Sequence, residues 1–131
     1  MRASRIRKRP MATAPTAIAP IAPAPRANTP TASARMAVLP EFNRPKALAV
    51  YRIHHTTFQG LRFFVDDLVT EEAARGQGFG SALLDWCVGK ARAGRCDTFA
   101  LDSGVQRTAA HRFYFRHGLV IRSFAFSKDI R

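Results

Sequence analysis

Residues Val65–Leu84 read VDDLVTEEAARGQGFGSALL, and their reading decides the fold. A β-type run, Leu61 to Thr70, ends in a short polar connector. Gly76, Gly78 and Gly80 follow and open directly into an amphipathic helix. Strand, glycine turn and helix N-terminus together form a backbone recipe for holding a phosphate. Glycine reaches positive φ and lets its neighbouring N–H groups come close to an anion. The first helical N–H groups lack intrahelical acceptors and carry about half a positive charge. Arg75 adds a full charge at the mouth of the turn. Spacing then separates the ligands that such loops serve. A P-loop needs Lys-Ser or Lys-Thr after its last glycine, which this stretch lacks. A dinucleotide fingerprint needs Gly or Ala where Ser81 stands, and its strand runs almost directly into the glycines. Here Glu71, Glu72, Ala73 and Ala74 intervene.

The spacing Arg75-x-x-Gly78-x-Gly80 resembles the R/Q-x-x-G-x-G/A signature of GNAT-superfamily N-acetyltransferases, which bind the pyrophosphate of acetyl-CoA. Two further stretches carry the resemblance. Val65-Asp66-Asp67-Leu68-Val69-Thr70 is similar to the splayed strand ahead of that loop. Ala110-His111-Arg112-Phe113-Tyr114-Phe115-Arg116-His117-Gly118-Leu119 is similar to the family's A-x-x-x-Y-x-x-x-G-F/L helix end. The three occur in the family's order, and the resemblance spans roughly Ala47 to Arg131.

The chain has 131 residues, which supports one domain, and a formal charge of +12. Seven of the 21 basic residues lie within residues 1–40, which contain no acid. That basic segment suits nucleic acid, anionic lipid or another polyanion, although no aromatics are interleaved as in single-strand binders. Cys87 and Cys96 form neither a C-x-x-C pair nor a metal spacing. They read as small buried hydrophobes in a reducing compartment, so the expected location is cytoplasmic, with no metal. No apolar run approaches the ~20 residues of a membrane span.

Residues 1–45 hold all eight prolines and few large apolar side chains before Met36. They read as a disordered Ala/Pro/Arg-rich segment, because they bury too little to offset ordering entropy. Residues 46–131 read as the acetyl-CoA-binding domain. Ala47–Ile53 and Leu61–Thr70 form a hairpin, with a bulge near Asp67-Leu68 where the alternation changes phase. Phe79, Ala82, Leu83, Trp86, Cys87 and Ala91 fall on one helical stripe. Gly94 suits its C-cap. Asp97–Asp102 is a short strand, most simply parallel to the one before the helix. A second helix, Thr108 to His117, closes at Gly118, and Leu119 to Ser127 reads as a final strand or two. The order β-β-α-β-α-β gives an α/β fold, a mixed central sheet with flanking helices. The resemblance implies an opening strand and two helices, which the Ala/Pro-rich segment does not resemble. The hairpin is then expected to present an open edge, leaving a marginal monomer or a homodimer paired through that edge.

What the resemblance implies for chemistry falls on specific residues. The N–H groups of Gly76, Gln77, Gly78, Phe79, Gly80 and Ser81, with Arg75, would hold the cofactor's diphosphate. Leu68, Val69 and Thr70 would take the pantetheine arm as an added strand, and the N–H of Leu68 or Val69 would polarise the thioester carbonyl. Tyr114 matches the tyrosine that protonates the departing thiolate. Many relatives carry Asn where Arg107 stands, so Arg107 either contacts a CoA phosphate or faces solvent. A lysine-like amine, with pKa ~10.4, costs roughly 4.6 kcal/mol to deprotonate at neutral pH. Asp66 and Asp67 are the nearest carboxylates for that task, with a water chain as competitor. His54, His55, His111 and His117 read as surface or half-buried histidines. The expected activity is direct acetyl transfer from acetyl-CoA to a primary amine of a small molecule or protein. A non-catalytic acyl-CoA-binding module or inactive fragment is the alternative.

Overall fold

The computed structural model describes residues 19–21 and 33–131. Five strands form one sheet in the order β1-β2-β3-β4-β5: β1 Ala19–Ile21, β2 Arg35–Glu41, β3 Arg44–Thr56, β4 Gly60–Thr70 and β5 Thr98–Leu101. Helix α1, Phe79–Ala93, links β4 to β5, and helix α2, Thr108–Arg116, follows β5. The first four strands pair antiparallel, and β4 pairs parallel with β5. The mixed sheet and its two helices agree with the α/β expectation.

Two expectations at the ends are corrected. Disorder was expected through residue 45, yet β2 and the start of β3 lie within the sheet, and β1 pairs with β2. Ala37 and Leu39 are fully buried, so alternation along a short strand pays for its ordering with core contacts. Pro40 sits where the β2–β3 register shifts, the kind of place where a sheet tolerates proline. Phe42 and Asn43 both take positive φ, 47° and 61°, and form a two-residue hairpin turn. The β3 edge expected to be open is therefore covered. The rest of the expected disordered segment lies outside the described residues, as does the basic run within residues 1–9.

At the other end, the final strand expected over Leu119–Ser127 is not formed. Residues 119–131 have no regular secondary structure. Val120, Ile121, Phe124, Phe126 and Ile130 are exposed. A β-type sequence becomes a strand only when it pairs with a partner edge, and this segment pairs with none of the described strands, although β5 ends the sheet.

The core lies between the sheet and α1. Tyr51 stacks on Phe63 with ring centroids 4.6 Å apart, and Phe63 stacks on Phe99 at 5.5 Å. Trp86 meets Tyr51 edge-on at 6.0 Å. Phe79, Leu83, Cys87 and Ala91 are buried on α1, in agreement with most of the predicted stripe, and Leu84, which lay off that stripe, is buried as well. Burial pushes the Cys87 thiol up to about 12.

A candidate diphosphate and acyl-arm site between strands β4 and β5

The site begins with the bulge. Val50 faces Asp67 and Tyr51 faces Val65, so Asp66 is the extra residue, one position before the expected bulge. The insertion restores the inward phase, placing Leu68 opposite Ala49 and Thr70 opposite Ala47. It also reverses which amides face outward. Before the bulge, Leu61 directs its carbonyl to the Asp97 N–H at 2.8 Å, so positions 61, 63 and 65 face β5. After it, the Glu71 N–H donates to the Lys46 carbonyl at 2.8 Å. Antiparallel alternation then turns residues 67, 69 and 71 toward β3, and Leu68 and Thr70 away from it.

That outward edge is unoccupied by β5. The parallel ladder ends at Val65↔Leu101, and β5 stops at Leu101. Beyond it β4 continues for five residues, Asp66 to Thr70, with pairing only to β3. This is the divergence expected of the two parallel strands. Alternation distinguishes Leu68 from Val69, because the Val69 N–H points into the β3 ladder.

The glycine turn meets the end of that edge. After a short 3-10 turn, Glu72–Ala74, Gly76 takes φ 73° and Gly78, the N-cap of α1, φ 90°. The first intrahelical bond is Ala82 N–H to Gly78 carbonyl, 3.0 Å. Among the described residues, no backbone carbonyl accepts an N–H from Gly76 through Ser81. Six successive amides are thus available at the positive end of a 15-residue helix. Gly80 is fixed by crowding. A Cβ there would lie 3.2 Å from Thr70 Oγ1 and 3.7 Å from Phe113 Cζ. Thr70, Gly80 and Phe113 therefore bring β4, α1 and α2 to one junction.

The remaining side chains divide clearly. Arg75 is exposed beside the turn. Gln77 donates its side-chain amide to the Ala73 carbonyl at 3.0 Å, which braces the turn. Phe79 is buried in the core, so only its amide faces the site. Tyr114 is half-buried on α2, and burial raises its phenol above the ordinary range while Arg107 pulls the other way. Arg107 thus stands near Tyr114. Asp66 accepts two hydrogen bonds from Arg52, one from Nε at 2.8 Å. That pairing raises the guanidinium pKa of Arg52 further. Asp67 is exposed.

Sequence reasoning missed His117. Its Nε2 lies 3.0 Å from Ser81 Oγ, its Nδ1 lies 3.6 Å from Asp85 Oδ1, and its ring packs on Phe113 at 4.6 Å. The signal was faint because its partner is 36 residues away in the chain. Among the described residues, no group of three or more His, Cys, Asp and Glu has metal-binding geometry. No helix among them is long and apolar enough to cross a membrane.

A mixed sheet whose two parallel strands diverge, with a glycine-capped helix at their mouth, thus sets two runs of unpaired amides beside each other. The chain belongs to the acetyltransferase (GNAT) family, whose model matches residues 16–119. The match begins well ahead of residue 46, where the domain was expected to start. Over 73 residues the chain is 38% identical to an uncharacterized N-acetyltransferase, YhdJ, of Bacillus subtilis, covering 55% of this chain and 51% of that protein. Over 80 residues it is 35% identical to the aminoalkylphosphonate N-acetyltransferase of Salmonella typhimurium, covering 61% of this chain and 50% of that one. The chain thus spans about half the length of these relatives. Among solved structures, an aminoglycoside N-acetyltransferase in complex with CoA shares the fold, with TM-score 0.67 and 14% identity, over 75% of this chain and 76% of that one.

Proposed function

We propose that this chain transfers an acetyl group from acetyl-CoA directly to a primary amine. The observation that carries the reading is the meeting of two sets of unpaired amides at one junction. Gly76–Ser81 supplies one set and the outward edge of β4 the other. A diphosphate fits the first set, with Arg75 as its charge partner. The pantetheine arm fits the second, pairing with Leu68 and Thr70 as an added strand.

In this reading the Leu68 N–H donates to the thioester carbonyl and stabilises the oxyanion that forms as the amine attacks carbon. The tetrahedral intermediate collapses with cleavage of the C–S bond. Tyr114 gives its phenolic proton to the departing thiolate and recovers one from solvent. Its burial suits this role by keeping the phenol protonated at neutral pH. Arg52 occupies Asp66 through two hydrogen bonds, so the amine's proton leaves through water toward Asp67. Acetyl-CoA is a cosubstrate here, and the reading uses no metal.

The test is release of CoA thiol from acetyl-CoA by the purified chain with a panel of amines. The panel includes an aminoalkylphosphonate, because the Salmonella relative is named for that acceptor. Sustained amine-dependent release supports the transferase. Binding of acetyl-CoA with no release by any amine supports a non-catalytic acyl-CoA-binding module. Absence of binding rejects both.

A further inference from the structure

The face of the sheet that turns away from α1 carries a cation with no anionic partner among the described residues. Directly paired residues of β3 and β4 share a face, so Arg52 lies beside Phe64 and His54 beside Arg62. Their neighbours Tyr51, Ile53, Phe63 and Val65 pack in the core under α1, which puts Arg52, His54, Arg62 and Phe64 on the opposite face. Nitrogen groups surround the Phe64 ring. The Arg62 guanidinium carbon stands 4.3 Å from its centroid, that of Arg52 5.8 Å, and the His54 ring meets it edge-on at 6.5 Å. Asp66 occupies Arg52. Among the described residues no carboxylate pairs with Arg62, and Arg62 Nε and His54 Nδ1 are buried without a hydrogen-bond partner. Arg62 Nε is a donor, and His54 Nδ1 donates in one tautomer. Unpaired buried donors are costly, so two of them on one charged face call for an acceptor. We infer, resting on the acetyl-transfer reading, that the amine substrate carries an anionic group and that Arg62 and His54 hold this group beside Phe64.

The core fills the α1 side of the sheet, where Phe63 stacks on Phe99, so an amine that reaches the gap beside Leu68 comes from the other face. That is the face of Arg62. Leu68 lies four residues beyond Phe64, one of them the bulge residue Asp66. About 10 Å of strand therefore separates the thioester from the guanidinium over Phe64. The reacting atoms stand about 3 Å apart, and a charge-assisted hydrogen bond at the other end spans about 2.8 Å. What remains fits an amine and an acid joined by two or three carbons. Charge fixes the direction. Asp66 shares this face through its bonds to Arg52 and stands at the amine end, where it favours an ammonium, whereas Arg62 stands at the acid end. The neighbour of Phe64 on β5 is Ala100, so no bulky side chain flanks the ring there.

The experiment uses the full chain and three amines of similar length: 2-aminoethylphosphonate, β-alanine and neutral propylamine. In a titration of 15N-labelled protein, the Arg62 side-chain N–H and the His54 ring signals should shift with at least one anionic amine and not with propylamine. The one that shifts them, phosphonate or carboxylate, names the acid. Absence of those shifts, or equal shifts with propylamine, would overturn the site whether or not acetyl-CoA is consumed. Shifts with an anionic amine but no CoA release would support the anion site and reject acetyl transfer. In the release assay that amine should exceed propylamine at least tenfold in kcat/KM, and equal turnover of propylamine would overturn the recognition. Arg62→Gln should raise KM for the anionic amine about ten- to a hundredfold, with kcat and the KM for acetyl-CoA moving far less. Arg62→Lys should recover part of the loss, because it keeps the charge but not the fork. An unchanged KM for the anionic amine in Arg62→Gln would contradict the assignment. Should that variant fail to fold, the wild-type titration decides.

Discussion

Ser81 Oγ and His117 Nε2 lie 3.0 Å apart, joining the first turn of α1 to the residue that caps α2. The contact places an imidazole on the side chain of Ser81, the last residue of the run of unpaired amides Gly76–Ser81. When the ring nitrogen donates to Ser81, the serine hydroxyl is free to donate to a phosphate oxygen. His117→Ala is therefore expected to weaken acetyl-CoA binding about three- to tenfold, the loss of one hydrogen bond near a charged ligand. Binding of an acetylated pantetheine, which has no diphosphate, should change little. Titration calorimetry with both ligands checks this. An equal loss for both would make His117 a purely structural contact.

Gly78 caps α1 at φ 90°, in a region that L-residues rarely adopt. Gly78→Ala is expected to cost about 1 kcal/mol of stability and to turn the neighbouring amides out of line. Cofactor affinity should fall more than stability does. Thermal unfolding and a binding isotherm on the same variant measure both, and unchanged affinity would mean that these amides do not hold the ligand.

Tyr114 is raised by burial, with Arg107 opposing. A phenol above its ordinary value of ~10 stays protonated, so proton donation should persist through neutral pH and fail only at strongly alkaline pH. Tyr114→Phe is expected to lower kcat by about 10²-fold with little change in KM for acetyl-CoA. A pH–rate profile should lose its alkaline limb in the variant. Retention of that limb would assign the proton donor elsewhere.

Cys87 is fully buried against the sheet and its thiol is pushed up to about 12, while Cys96 is half-buried. In the native protein at mildly alkaline pH, a thiol reagent should modify Cys96 first. Cys87 should react only as the fold opens, because the thiolate is the nucleophile. Mass spectrometry of partly labelled protein distinguishes the two positions. Fast labelling of Cys87 would contradict the packing of α1.

The sequence made the glycine turn readable because its demands are local. Positive φ at Gly76 and Gly78 and close approach at Gly80 allow few other residues, so spacing alone locates the turn. The bulge was readable to within one residue, since the alternation of Phe63 and Val65 changes phase at Asp66. Strand β2 was hidden because it buries only Ala37 and Leu39 and ends beside Pro40, within a run that looks unable to form a core. Its partner, β3, supplies what its own composition does not. The opposite failure occurred at Leu119–Ser127, where β-type residues raise the expectation of a strand, yet strand formation needs an edge. His117 was missed for a related reason, since it matters only through contacts with Ser81 and Asp85 on another helix.

The most direct test is a titration of the 15N-labelled chain with CoA, followed amide by amide. The N–H signals of Gly76 through Ser81 should shift together with those of Leu68 and Thr70, while Val69, bonded toward β3, moves far less. Shifts confined to other surfaces, or none at saturating CoA, would contradict the placement of the diphosphate and its arm.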